Sequence, residues 1–401
     1  MSATGVQPLQ RLDQAADHAD FSLVLGGPLY QAFRRARLSG DTLELLHRRI
    51  VAIVLFAWLP LAILALVAPP SVAIPIPFLR DCDALARFLV ALPLLVWAEL
   101  IVHERTVGVA RNFLTRGIIR PEDVPRLQAS IRSATRVRNS VAIELGLLIF
   151  AFTVGHWIWR TQVALTTSTW YAVVDSAGWR LTPAGYWYAF VAIPTFQFIL
   201  GRWYLRMGIW AWLLWRTSRL PLRLTCTHPD RTAGMAFLGK SSYAFAPILF
   251  AQGALLSGLI ANQVLYEGAD LLTFKIEAFA LIVLFMIVVL GPLLVFTPQL
   301  LEAKHKALGT YGHFANDYVR SFEDKWVRGH GEGSELLGAA DIQSLADLAN
   351  SYDVIREMRI VPFGAHDITR LAAATAAPLL PLALTVLSPE EALGRVLKIL
   401  F

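Results

Sequence analysis

Apolar residues in this 401-residue chain gather into runs long enough to cross a bilayer, rather than into narrow amphipathic stripes. About 20 such residues cover the roughly 30 Å of hydrocarbon in a membrane. On that measure residues 51–68, 88–102, 141–159, 187–200, 242–265 and 278–296 predict six transmembrane helices, the first closed by Pro69 and Pro70. The pattern of the fourth runs on through Trp215, further than the bilayer requires. A weaker seventh run, 371–387, contains Pro378 and Pro381 and predicts either a crossing or a hairpin that dips in and returns. The expected fold class is an all-α polytopic integral membrane protein, with six transmembrane helices, a seventh or re-entrant C-terminal hairpin, and a helical cytoplasmic cap.

The polar stretches divide the chain further. Residues 1–50 form an N-terminal segment, 51–297 a six-helix membrane domain with loops at 103–140 and 207–240, 298–370 a helical region, and 371–401 a closing membrane helix with an interfacial helix. Within 105–140 a break at Arg120-Pro121 separates two helices, and Val124, Leu127, Ile131 and Ala134 place one apolar stripe on the second. Leu300 to Trp326 continues the sixth span as a helix, Gly329 to Gly333 interrupts it, and a second helix runs from about Asp341 to Met358. Residues 166–188 mix β-branched and aromatic residues around Asp175-Ser176-Ala177-Gly178, which predicts a hairpin lid. Ser388 and Pro389 start a final helix whose Leu393, Val396, Leu397 and Leu400 form an apolar face. The opening residues, Met1 to Asp20, are polar and acidic and lack the pattern of a cleavable signal peptide.

Composition agrees with a membrane setting. Hydrophobic residues reach 56%, charged residues 16% and mean hydropathy is +0.52, against about 25% charged residues in an ordinary soluble domain. Basic residues then set an orientation, because Lys and Arg stay on the cytoplasmic side. Residues 1–50, 103–140, 201–240 and 298–370 hold 6, 8, 7 and 8 of them, whereas 69–87, 160–186 and 266–277 hold 2, 2 and 1. That alternation predicts a cytoplasmic N-terminus in a bacterial-type inner membrane. The net charge of +6 is thereby a topology signal, and no motif supports nucleic-acid binding. Cys82 and Cys226 fall on opposite sides in this scheme, so no disulfide is expected.

Charges within the apolar runs carry the strongest chemical signal, since an intramembrane charge needs solvation or a partner. Glu99, Glu144 and Arg202 fall at similar depth near the inner boundary, with Arg206 one turn beyond Arg202 and His103 just past Glu99. They read as an ion-pair clamp or as the lining of an ion path. The fifth span adds two small-residue stripes, Gly253/Ser257/Ala261 and Ala254/Gly258/Asn262, and the polar side chains Gln252, Ser257, Asn262 and Gln263. Helix packing explains the stripes; a wet cavity would explain the polar groups. His228, Asp230 and Arg231 make a dense polar loop beside the fifth span, either a turn in which Asp230 caps the next helix or pairs with Arg231, or a cytoplasmic gate or ligand loop.

Other motifs are weaker. Gly234-Met-Ala-Phe-Leu-Gly239-Lys240-Ser241 spells a phosphate-loop string, but its middle is apolar and it leads into a membrane helix rather than out of a buried strand. Cys226, His228 and Asp230 fall short of a four-ligand zinc set, and His103 and His156 lie at opposite depths, unsuited to haem. His305, His313 and Asp317 share a helix face that reads as an exposed polar stripe. No hydrolase elbow or zinc-protease helix is present, so catalysis gains no support and no cofactor is implied. The stretch 340–350 with Val361-Pro-Phe363 resembles bacterial membrane proteins to which no activity is attached, and implies none here. The expected function is passage of a small ion or solute, as a channel or carrier gated by the cytoplasmic helices. The alternatives are a membrane-anchored signalling or interaction scaffold with a cytoplasmic protein partner, and a lipid-head-group enzyme at the His228–Arg231 loop. The expected partners are the lipid bilayer and a second copy of the chain, through the fifth span and C-terminal helix.

Overall fold

The computed structural model describes residues 21–37, 45–67, 76–163, 169–175, 178–329 and 340–382. It is 82% helical, and five helices are long and apolar enough to cross a membrane. These are α2 (Leu46–Val67), α3 (Cys82–Thr115), α5 (Val141–Thr161), α7 (Ala236–Tyr266) and α8 (Leu271–Arg328). Around them lie α1 (Pro28–Arg35), α4 (Val124–Arg138), α6 (183–217), α9 (Ala340–Arg356) and α10 (Ala365–Ala376). A two-stranded antiparallel hairpin, β1 (Ala172–Asp175) with β2 (Gly178–Leu181), precedes α6 and pairs Ala172 with Leu181.

Helix α6 has the length of a span but spends its apolar surface on Trp, Tyr and Phe. Its buried face includes Phe196, Trp203, Trp210 and Leu214. The Trp203 indole N–H donates to the Leu95 carbonyl at 2.8 Å, which pins α6 to α3. Aromatic residues also close the end at which α3 begins. Phe78, Trp170, Tyr171 and Tyr188 pack ring against ring with centroids 4.8–5.2 Å apart, seating the hairpin on the bundle.

Helix α7 is the core helix. It packs on α3 along one side and on α10 along the other. Two glycines permit this. A Cβ at Gly258 would lie 2.7 Å from the Cys82 carbonyl oxygen, and one at Gly253 would run into the Thr375 carbonyl. These two small residues, five positions apart on separate stripes, thus let both neighbours approach to backbone contact. By contrast α2 and α5 turn large apolar faces outward, with Phe56, Ile63, Ile149 and Trp157 all exposed. In water such surface would be costly; against lipid it is the expected exterior.

The polar segments fold as their patterns predict. In α4 the stripe Val124, Leu127, Ile131 and Ala134 is buried, and α4 packs on α6. Helix α8 runs on without a break from the expected sixth span, passing through a tighter 3₁₀ stretch at Gly291–Phe296. Its polar half pairs with α9, and Lys304, Tyr318, Lys325 and Trp326 all bond to the start or end of that segment. The expected break at Gly329–Gly333 and the final helix at 388–400 lie largely outside the described residues. Several boundaries differ from expectation. Helix α3 runs on to Thr115, and α7 and α8 begin at Ala236 and Leu271, ahead of the runs 242–265 and 278–296. Helix α2 begins at Leu46 and α3 at Cys82, earlier than the apolar runs 51–68 and 88–102, and the charged residues near their starts, Arg49, Asp83 and Arg87, are buried by pairing.

Candidate functional site

The intramembrane charges converge. Glu144 lies in the first turn of α5, where Ser140 caps the helix by accepting from the Ile143 N–H. A carboxylate there also suits the positive end of the helix dipole. Glu99 comes from the middle of α3. Arg202 and Arg206, one turn apart on α6, face both carboxylates. Arg206 Nη1 donates to Glu99 Oε1 at 2.8 Å. The Arg202 guanidinium lies 3.4 Å from Glu144 Oε1 and 3.9 Å from Glu99 Oε1. All four residues are at most 8% exposed.

A fifth member, Arg49 from the first turn of α2, pairs with Glu99 Oε2 and is only 1% exposed. Sequence reasoning placed Arg49 among the basic residues of the N-terminal segment. Its two neighbours, Arg48 and Ile50, gave the available signal: Arg49 sits one residue before an apolar run, on the helix face that Ile53 and Ala57 bury. Among the described residues, three arginines therefore meet two carboxylates in one buried layer.

The N-terminal segment covers this layer. Phe21, Leu23 and Val24 are buried. The Leu29 N–H donates to Glu144 Oε2 at 2.9 Å, and Ser22 Oγ lies 2.8 Å from His103 Nδ1. The Ser22 carbonyl accepts from Arg138 at the end of α4. Burial, with Arg206 as a like charge nearby, pushes the Arg138 guanidinium down to about 10. The turn into α1 needs glycine: Gly27 has φ 91°, and a Cβ there would lie 2.9 Å from Glu144 Oε1. The short apolar run Phe21-Ser22-Leu23-Val24-Leu25 was the available signal for this docking, but it is far too short for a span and has no helical period.

The three polar candidates of α7 do not share one surroundings. Gln252 is buried, and its amide nitrogen has no hydrogen-bond partner among the described residues. Ser257 is half-buried and lines an open apolar groove of about 620 Å³ with Leu85, Leu89, Phe250 and Leu382. Asn262 is committed at the start of α3. Its amide donates to Asp81 Oδ1 at 2.8 Å and accepts from the Cys82 N–H at 2.9 Å. Asp81 also accepts from the Trp170 indole and the Ala84 N–H, so Asn262 ties α7 to the start of α3 and to the hairpin. Beside it, Arg87 holds Asp83 through both carboxylate oxygens at 2.7 Å.

The His228–Arg231 loop is organised around the Asp230 carboxylate. Oδ1 accepts from the Thr232 and Gly234 N–H groups and Oδ2 from Ala236 N–H, at 2.9–3.1 Å. His228 Nδ1 lies 3.0 Å from Oδ1. These bonds satisfy donors that the start of α7 leaves open. Burial raises the Asp230 carboxyl, but the three N–H donors and His228 outweigh it and hold the group below the usual carboxylate range. Arg231, with φ 55°, pairs with Glu357 at 2.8 Å, and its carbonyl accepts from the Arg359 N–H. The loop thus joins α7 to the end of α9. The phosphate-loop string forms the first turns of α7 itself, with Gly239 against the Pro362 carbonyl, so its amides are not arranged around an anion.

Both cysteines are free, and no group of three His, Cys, Asp or Glu that could hold a metal ion occurs among the described residues. His156 stacks on Phe190 as an aromatic side chain in the C-terminal half of α5. His305 and His313 are exposed on α8. Compared with family models, curated proteins and solved structures, the chain has no match, and its function rests on this geometry.

Proposed function

We propose that this protein passes a small ion or solute across a bacterial-type inner membrane, as a channel or carrier whose inner mouth is the Arg49/Glu99/Glu144/Arg202/Arg206 layer. The observation that carries the reading is five ionised side chains buried together where apolar helices α2, α3, α5 and α6 meet. Charges in that position are costly, and membrane proteins keep them mainly along ion and substrate paths. The N-terminal segment lies on the layer and the α8–α9 pair projects beyond it, which supplies the cytoplasmic gating elements. In this reading α6 is a sixth span, 371–382 enters the membrane beside α7 without completing a crossing, and the N-terminus is cytoplasmic.

The test is flux through the purified chain in liposomes, comparing wild type with Glu144→Gln. Glutamine keeps an acceptor for the Leu29 N–H but removes the charge facing Arg202. Folded yield should hold while flux, or its pH dependence, changes at least several-fold. Unchanged flux would remove Glu144 from the path.

A second reading, an interaction scaffold, draws on the projection. Its α8 and α9 halves bury little of their own surface, and Phe314, Val327 and Ile342 are exposed. Recovery of a defined cytoplasmic partner that is lost on truncation after Phe296 would favour it.

A further inference from the structure

We propose that the buried layer binds a monovalent inorganic anion and that an anion is the species passed; this deepens, and rests on, the passage reading given above. Among the described residues, Arg49, Arg202 and Arg206 face Glu99 and Glu144, one positive charge in excess, and all five are at most 8% exposed. Arginine does not shed its proton inside proteins. A surplus charge taken from water carries a heavy desolvation cost unless a counter-ion meets it. Arg138 adds to the excess, because it lies close enough to Arg206 to be perturbed by it and, among the described residues, bonds neutral oxygens, the Ser22 carbonyl and the Asn139 side chain.

Hydrogen-bond capacity points the same way. Three guanidiniums carry about 15 N–H donors, whereas two carboxylates accept about 8. One of those acceptor positions already serves the Leu29 N–H. Arg49 Nε is buried with no hydrogen-bond partner among the described residues. Arg202 sits 3.4 and 3.9 Å from its carboxylates, beyond the usual 2.7–3.2 Å of an N–H···O bond. Its donors are therefore available. A layer rich in donors, poor in acceptors and positive by one unit is the chemistry that recognises an anion of single charge.

The outer end does not cancel this. Asp83 is neutralised by Arg87 at 2.7 Å, and the Asp81 charge is spread over the Trp170, Asn262 and Ala84 donors. Neither carboxylate offers an open acceptor set to a cation comparable with the donors at the inner layer.

Two measurements on the full chain test the proposal. The first is thermal unfolding in mild detergent, with sodium chloride or nitrate replacing sodium gluconate at constant ionic strength. The unfolding temperature should rise saturably with chloride or nitrate. Arg202→Gln should abolish the rise, and Arg202→Lys, which keeps the charge, should retain part of it even if the Gln variant folds poorly. The second is flux into liposomes holding a chloride-quenched dye, with a parallel set holding a potassium-sensitive dye. Chloride entry at least tenfold above protein-free liposomes, reduced at least tenfold by Arg202→Gln, supports the proposal. Potassium or proton flux without anion flux, and no anion effect on unfolding, overturns it while leaving the passage reading intact. A saturable anion effect with no flux of any ion upholds the site and removes the passage reading. Neither effect removes both.

Discussion

Replacing Glu99 by Gln takes away the carboxylate shared by Arg49, Arg202 and Arg206. At an effective dielectric of about 20, a unit-charge pair at the 2.8 Å of Arg206 attracts by about 6 kcal/mol, and one at the 3.9 Å of Arg202 by about 4 kcal/mol. Most of that gain is offset by the desolvation of the ions, and glutamine keeps one acceptor for Arg206. What remains is the penalty for leaving buried arginines without a counter-charge, about 3–5 kcal/mol when one partner of a buried pair is removed. Against a total folding stability of roughly 5–15 kcal/mol, that is a large loss. The assay is detergent-driven unfolding in mixed micelles, followed by tryptophan fluorescence. The exposed neighbour Glu104 supplies the control, and Glu104→Gln should fall within about 0.5 kcal/mol of wild type. Adding Arg49→Met to Glu99→Gln should recover stability, with a coupling of about 1–3 kcal/mol, because Arg49 pairs with Glu99 alone among the described carboxylates. A Glu99→Gln protein within about 1 kcal/mol of wild type would refute the argument, since it would mean that water already solvates the layer.

Asp230→Asn should weaken the start of α7 by about 1–3 kcal/mol at neutral pH, the range for hydrogen bonds to a charged acceptor. Because the folded carboxyl titrates below its usual value near 3.9, its stabilisation is complete above about pH 4 and fades as pH falls through the folded value. Hydrogen exchange across residues 236–242 should therefore differ between wild type and variant at pH 7 and converge in acid; a constant difference would contradict this. Gly253→Leu should push α10 away from α7, at about 1–3 kcal/mol for overpacking, and speed tryptic cleavage at Arg370; unchanged cleavage would show that the backbone contact is dispensable. An impermeant maleimide should label Cys82 on sealed right-side-out cells and Cys226 only after lysis, at alkaline pH because burial pushes the Cys226 thiol up. Labelling of Cys226 first would invert the proposed orientation.

The elements were legible where one local period decided them. The α4 stripe, the β1–β2 hairpin and the passage of the sixth span into the polar half of α8 all follow from neighbours within a few turns. The Glu99–Glu144–Arg202 meeting was legible too, because helical rise converts sequence position into depth. Arg49 was not, since a basic residue beside an apolar run serves equally as a boundary anchor. The outer tie was hidden for another reason. Asp81 reaches Trp170 and Asn262 across 89 and 181 residues, and no local pattern encodes such a pairing. Asn262 therefore read as a lining residue, when its amide is spent on Asp81 and Cys82. The docking of 21–29 combines burial of Phe21, Leu23 and Val24 with bonds from backbone groups, the Leu29 N–H and the Ser22 carbonyl, and the latter are groups that every sequence possesses.

The uninterrupted course of α8 has a mechanical consequence. Along its contour its 58 residues measure about 87 Å, and the 32 beyond Phe296 account for about 48 Å of that. A rod with its fulcrum at the Gly291–Phe296 turn acts as a lever: a tilt of about 5° there sweeps the tip near Arg328 through about 4 Å. That is close to a helical turn, the step by which packed helices exchange one set of contacts for another. A partner seated on α9 would thus feel a small rearrangement of the bundle as a full change of register, and a force applied at the tip would return to the membrane multiplied by the ratio of the arms.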